Sequence, residues 1–153
     1  MGLLPLPCHL VGFAPRLAAF MVDLAVITML AIIFTLGGMI AYMQGGALRQ
    51  DLPPFFTHID VYTHVFMTSF ILVSMTYFIY FLGAIGQTAG KMILGLRVVC
   101  EDGRPLGYKR ALLRWIGYFC SSALLNLGFL WIIIDRKKQA WHDKLAGSVV
   151  IWS

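Results

Sequence analysis

The chain has 153 residues, 59% of them hydrophobic and only 12% charged, with a mean hydropathy of +0.80. Such a composition excludes an ordinary soluble domain and points to an integral membrane protein. The net charge of +5, from 12 Lys plus Arg against 7 Asp plus Glu, marks cytoplasmic loops in a membrane chain rather than nucleic-acid binding.

No internal repeat or low-complexity linker divides the sequence, so residues 1–153 read as a single domain built round a helix bundle. Cys8, Cys100 and Cys120 are odd in number and lack CxxC spacing, which gives no basis for a disulfide framework or a thiolate metal site. Met1–Phe13 has no basic residue ahead of its apolar part and no small-residue cleavage site, so a removable signal peptide is not expected. Leu6 stands where a myristoylation pattern wants Ser or Thr.

The first predicted element is a membrane helix over about 15–43. Pro15 suits a first helical turn, and no charge occurs from Asp23 to Arg49, a stretch long enough for a hydrocarbon layer about 30 Å thick. Gly45, Gly46, Pro53 and Pro54 mark a polar loop after it. A second membrane helix is predicted over about 61–90, uncharged until Lys91, with Tyr62, Tyr77 and Tyr80 toward its ends as an interfacial aromatic belt.

The next segment, about 91–106, is basic and belongs in the cytoplasm. Within it Leu94–Cys100 favours a strand and Asp102-Gly103 a turn, while Ser148–Trp152 is a second short strand candidate. Pairing the two at the membrane surface satisfies both backbones.

The last apolar region, Trp115–Ile134, is long enough for one crossing, but a crossing would place Arg136, Lys137, Lys138 and Lys144 outside with Arg49. A return to the cytoplasm is favoured, giving a helical hairpin over about 107–145 that turns at Asn126-Leu127-Gly128. Only about seven apolar residues precede Asp135 on the exit, so the hairpin is expected to be shallow. This topology puts Gln139 inside and Gln44 outside. The fold class expected is an all-α membrane bundle of two full transmembrane helices plus a C-terminal hairpin, with a two-stranded β pairing at the cytoplasmic surface.

Asp23 is the first candidate functional residue. A carboxylate within a membrane helix costs about 2.5 to 3.5 kcal/mol, so it should face other helices or water. Arg16 lies about two turns earlier on the same face. Asp135, His142 and Asp143 approach the same leaflet in the hairpin topology, so Arg16 is expected to pair with one of these carboxylates, and Asp23 with Arg114 or Lys91. The alternative is that these charges are buried ion pairs that fix helix register and carry no substrate.

Other constellations are weaker. Gly86-Gln87-Thr88-Ala89-Gly90-Lys91-Met92 superficially suggests a nucleotide loop, but Ile85 replaces the first required glycine and Met92 the magnesium-binding hydroxyl. A glycine-rich exit from helix two is the better account. His58, Asp60 and His64 do not converge by helix or strand periodicity, so no metal site is expected. No catalytic order of Ser, His and Asp or of Cys and His stands out, and neither an enzyme nor a cofactor is expected. Gly117 and Ser121 form a small-xxx-small step suited to close helix approach.

Taken together, Arg16-Leu-Ala-Ala-Phe-Met-Val-Asp23, then Gly86-Gln87-Thr88-Ala89-Gly90-Lys91-Met-Ile-Leu-Gly-Leu-Arg97-Val-Val99, then His142-Asp143-Lys-Leu-Ala-Gly-Ser-Val-Val150, resemble the RDD family of small membrane proteins. The likeness covers nearly the whole chain. The resemblance implies that Arg16, Asp23 and, in preference to Asp135, Asp143 are the three residues that name the family. Ala89 stands in place of the family's proline and Ser148 in place of its threonine.

The resemblance also implies transport of unidentified ligands, with monovalent cation/proton antiport among the activities suggested for the family. The expectation is therefore a transporter or transporter subunit in the bacterial inner membrane, both termini cytoplasmic, acting as a homo-oligomer on monovalent cations or protons through Asp23. The rival is a non-transporting adaptor in which Arg16, Asp23 and Asp143 close the bundle and the basic face engages a partner or anionic lipid.

Overall fold

The structure is a computed structural model that describes residues 10–47, 59–123 and 127–153. The element order is α1 (Phe13–Ala47), α2 (Ile59–Ala84), α3 (Ala89–Ile93), β1 (Leu96–Cys100), α4 (Gly107–Ala123), α5 (Leu127–Ile134), α6 (Trp141–Ala146) and β2 (Ser148–Trp152). Phe13–Ala41 and Tyr62–Ala84 are long and apolar enough to cross a membrane. The chain divides into two compact units, Met1–Asp23 with Met75–Ser153, and Leu24–Ser74.

The Leu24–Ser74 unit holds residues 24–47 of α1 and 59–74 of α2. Ile33, Phe34, Ile40 and Leu72 are each more than half exposed, as expected of side chains that meet hydrocarbon. Two of its hydroxyls bond within their own helices: Thr35 donates to the Ala31 carbonyl at 2.8 Å and Ser74 to the Ile71 carbonyl at 2.9 Å.

The other unit carries the sheet, the short helices and the polar residues. The two strands pair antiparallel as their β-favouring patterns predict, with Leu96 opposite Trp152, Val98 opposite Val150 and Cys100 opposite Ser148. Alternation along β1 buries Leu96, Val98 and Cys100 and leaves Arg97 exposed. The segment ahead of α1 extends this ladder, because the Val11 amide donates to the Val150 carbonyl at 3.1 Å.

Two boundaries differ from the sequence expectation. The second long helix stops at Ala84 rather than near Gly90. Gly86 has a φ of 75°, its carbonyl accepts from Val98 at 2.7 Å, and the chain leaves the helix axis to meet the sheet. The return arm of the hairpin is not one helix to Leu145. α5 ends at Ile134 because the Asp135 carboxylate accepts the Lys137 and Gln139 amides at 3.1 Å each, which builds a polar turn, and α6 starts afresh at Trp141. Leu127 and Gly128, assigned to the turn by sequence, open α5, and Asn126 falls outside the described residues. Gly128 packs against the Ser121 backbone where α4 and α5 meet.

A buried polar cluster as the candidate functional site

Two carboxylates organise the site, and both are fully buried. Burying a charge is costly unless charge-assisted hydrogen bonds replace its water, and cations and hydrogen-bond donors stand close to each carboxylate.

Around Asp23, Oδ1 accepts from the Tyr77 hydroxyl at 2.8 Å and from the Gly90 amide at 2.8 Å. Oδ2 accepts from Thr88 Oγ1 at 2.5 Å, and Lys91 Nζ stands 4.0 Å away. Lys91 Nζ also donates to Thr88 Oγ1 at 3.4 Å, so the threonine hydroxyl bridges amine and carboxylate. The Ala89 amide donates to the Tyr77 hydroxyl at 3.0 Å, which leaves that hydroxyl's proton for Asp23.

These contacts require α3 to touch α1 closely. A Cβ on Gly90 would collide with the Ala19 carbonyl oxygen, so glycine is what allows the amide to reach the carboxylate. Burial lowers the Lys91 pKa to about 8, against the opposing pull of Asp23.

Around Asp143, Oδ2 accepts from Arg16 Nη1 at 2.6 Å and from the Ala140 amide at 3.0 Å. Oδ1 lies 2.6 Å from Arg114 Nη1, an ion pair set off the ideal hydrogen-bond direction. The Ala140 contact caps α6 from its third residue, and Gly147, at φ 58°, closes the other end. Arg114 also donates to Ser148 Oγ at 2.6 Å, tying α4 to the first residue of β2. Burial would raise the Asp143 pKa, but Arg114, His142 and Arg16, with the Ala140 amide, outweigh it and hold the carboxyl below the ordinary carboxylate range.

His142 is buried, with Nε2 3.5 Å from Asp143 Oδ1 and Nδ1 3.5 Å from Ser121 Oγ. Its ring packs edge-on to Tyr118 at 4.5 Å between centroids. Burial lowers its pKa to about 3, opposed by Asp143 and reinforced by Arg114 and Arg16, so the imidazole is neutral at physiological pH. Gly117 leaves room for it, since a Cβ there would stand 2.7 Å from His142 Cβ.

The structure brings together Arg16, Asp23, Thr88, Gly90, Lys91, Arg114, His142 and Asp143 within one compact unit. Of the partners open from sequence, Asp23 meets Lys91 and not Arg114, and Arg16 meets Asp143 and not Asp135. Asp135 does not belong to the cluster: it pairs with Lys144 at 2.6 Å beside exposed residues, and that contact, with the Gln139 and Lys137 amides, lowers its pKa.

Gln87 has a structural task, donating to the Leu96 carbonyl at 2.9 Å and accepting from Arg97 at 3.4 Å. Tyr77 is a correction, since it is buried against Asp23 rather than lying in an interfacial belt. Its position two turns before the Gly86–Lys91 segment was the available signal. His58 lies outside the described residues.

Fold and site together define a small helical membrane protein organised round buried arginine–aspartate pairs. The chain belongs to the RDD family, which it matches over residues 10–147. It is 33% identical over 70 residues to a protein of Mycobacterium tuberculosis named proline-rich antigen homolog, covering 45% of this chain and 29% of that one. It is 38% identical over 89 residues to an uncharacterized protein of Rickettsia prowazekii, covering 58% and 49%. An uncharacterized protein of Bacillus subtilis is 34% identical over 65 residues, covering 42% of each. The chain thus spans less than half the length of these curated relatives. No solved structure matches it.

Proposed function

We propose that this protein is a small membrane transporter, or the subunit of one, that exchanges a monovalent cation for protons at the Asp23–Lys91 pair. The observation that carries this reading is a buried amine 4.0 Å from a fully buried carboxylate, with the Thr88 hydroxyl bridging them. Such a pair exchanges one charge for another: when Lys91 releases its proton, Asp23 is left with an uncompensated negative charge that a monovalent cation can balance. The Tyr77 and Thr88 hydroxyls are oxygen donors that rotate to face such a cation. A lysine pKa near 8 supports the reading, because the proton leaves close to physiological pH.

The setting proposed is a bacterial inner membrane, with both termini cytoplasmic as the basic segments require. Two candidate spans are few for a permeation path, which supports a homo-oligomer. The test is cation-driven pH change in proteoliposomes. The wild type should move protons, with an alkaline limb near pH 8, while Asp23→Asn and Lys91→Gln should fall to the level of empty vesicles. Equal flux in wild type and Asp23→Asn would overturn the role given to Asp23.

A second reading is favoured by the close partners of both carboxylates. Asp23 accepts three hydrogen bonds and Asp143 faces two arginines, as expected of charges that fix helix register. On that reading the protein is a membrane adaptor. Wild-type flux would then equal that of empty vesicles, and Asp23→Asn would lower the unfolding temperature or lose a partner in pull-downs.

A further inference from the structure

The exposed surface of the α4–α5 hairpin combines two properties that do not bear on ion exchange. On α4, Leu113, Ile116 and Phe119 are 42%, 42% and 50% exposed, and on α5, Leu130, Ile133 and Ile134 are 43%, 67% and 76% exposed. Apolar side chains so open on two packed helices require hydrocarbon rather than water. Yet α5 has 8 residues, a rise of about 12 Å, against about 30 Å for a full hydrocarbon layer. It reaches no further than one leaflet.

Each arm carries cations at one end. Lys109 and Arg110 are exposed in the first turn of α4, and Arg136 and Lys137 follow the exposed Ile133–Ile134 pair directly. Gly128, near the start of α5, meets Ser121, near the end of α4, so Lys109–Arg110 and Arg136 each stand at the end of their arm remote from that contact. Lys137 is shared with Glu101 at 3.4 Å and Lys144 is committed to Asp135. No ion pair among the described residues engages Lys109, Arg110 or Arg136. Trp131 and Trp141 stand 6.2 Å apart between ring centroids, and amphipathic rings favour the membrane–water boundary.

We infer that the α4–α5 hairpin is a single-leaflet insertion whose rim, Lys109, Arg110 and Arg136, binds the phosphate groups of anionic lipids. The occupant is a lipid because apolar surface and unpaired cations adjoin: a headgroup phosphate meets the rim only when its acyl chains cover Ile133, Ile134 and Ile116. The inference holds whether or not the protein transports ions.

The test uses the full chain in vesicles of phosphatidylcholine with a minority of phosphatidylglycerol. Spin-labelled phosphatidylglycerol should be restricted at the protein surface with about fivefold preference over the phosphatidylcholine probe for each well-placed cation. The triple variant Lys109→Gln, Arg110→Gln, Arg136→Gln should bring that ratio close to one while leaving the unfolding temperature unchanged, since all three side chains are exposed. Equal restriction of the two lipids by wild type would overturn the inference, as would loss of the preference on adding inorganic phosphate, which would assign the rim to a free anion.

Depth is tested with Leu127→Cys in a chain whose native cysteines are replaced by alanine. A nitroxide there should report a position near the bilayer centre. Labelling by an impermeant maleimide from the side opposite to Lys137→Cys would mean a full crossing and would also overturn it.

Discussion

The Gly90 amide donates to Asp23 Oδ1 at 2.8 Å, and it reaches that oxygen only because no side chain stands between α3 and the Ala19 carbonyl. A single missing methyl group therefore sets the distance between the first long helix and the segment that carries Thr88 and Lys91.

Gly90→Ala should destabilise the protein by about 1 to 3 kcal/mol, the usual cost of overpacking, and should weaken the Asp23 hydrogen bonds together. Gly37→Ala is the contrasting variant, since nothing lies within 4 Å of a Cβ placed there, and alanine is the better helix former by about 1 kcal/mol. Thermal unfolding in detergent should show a lower midpoint for the first and an equal or higher one for the second.

Asp143→Asn leaves Arg16 and Arg114 facing a neutral amide while both are buried. Removing one partner of a buried pair costs about 3 to 5 kcal/mol, so this variant should be the least stable of the set, whereas Asp135→Asn, which loses a partly exposed contact with Lys144, should lose under about 1 kcal/mol. Denaturant unfolding in mixed micelles would rank them.

Stability should fall with acid in two stages. His142 has its folded pKa lowered to about 3 from an ordinary 6.5, so below pH 6.5 the unfolded chain binds a proton that the folded chain refuses. Stability from this residue is complete above pH 6.5 and is lost as pH falls toward 3, by at most about 1.4 kcal/mol per pH unit. Asp143 has a folded pKa below its ordinary 3.8, so its contribution is present above that value and disappears below it. His142→Gln should flatten the limb between pH 6.5 and 4.5 and leave the steeper loss below pH 4, as followed by the unfolding midpoint against pH.

Opposite-side labelling is expected for Gln44→Cys and Lys137→Cys with an impermeant maleimide, both side chains being exposed. Gln139, the natural choice from sequence, is a poor reporter: it is buried, donating to Glu101 at 2.6 Å and to the Ser148 carbonyl at 3.0 Å. Labelling of both cysteines from one face of sealed vesicles would contradict the topology proposed here.

Much of the fold was legible because it depends on local pattern. The long uncharged runs identify the two candidate spans, and the β-branched residues of Leu96–Cys100 and Ser148–Trp152 identify the strands. Arg16 and Asp23 stood out because charge within apolar sequence is costly, and Asp143 was preferred to Asp135 on the family resemblance. Their partners were legible only as alternatives, Asp135 or Asp143 for Arg16 and Arg114 or Lys91 for Asp23, since the choice depends on how the helices pack, and no spacing encodes that. Thr88 was read as part of the glycine-rich exit and Tyr77 as an interfacial ring; their contacts with Asp23 were missed because a hydroxyl in such a setting looks incidental until a carboxylate is found opposite it. The break after Ile134 was missed because it rests on Asp135 accepting the amides of its own turn, a choice that its contact with Lys144 reinforces.

The Arg16–Asp143 pair joins residues 127 positions apart in the chain. At about 5 to 20 residues per second of synthesis, Arg16 waits roughly 6 to 25 s for its counter-charge. Asp23 meets its partners sooner, since Tyr77, Thr88, Gly90 and Lys91 are all made well before residue 143, so Arg16 is the later of the two charges to be matched. The first helix is therefore matched in two steps, its carboxylate by the segment that follows α2 and its guanidinium only once α6 has been made.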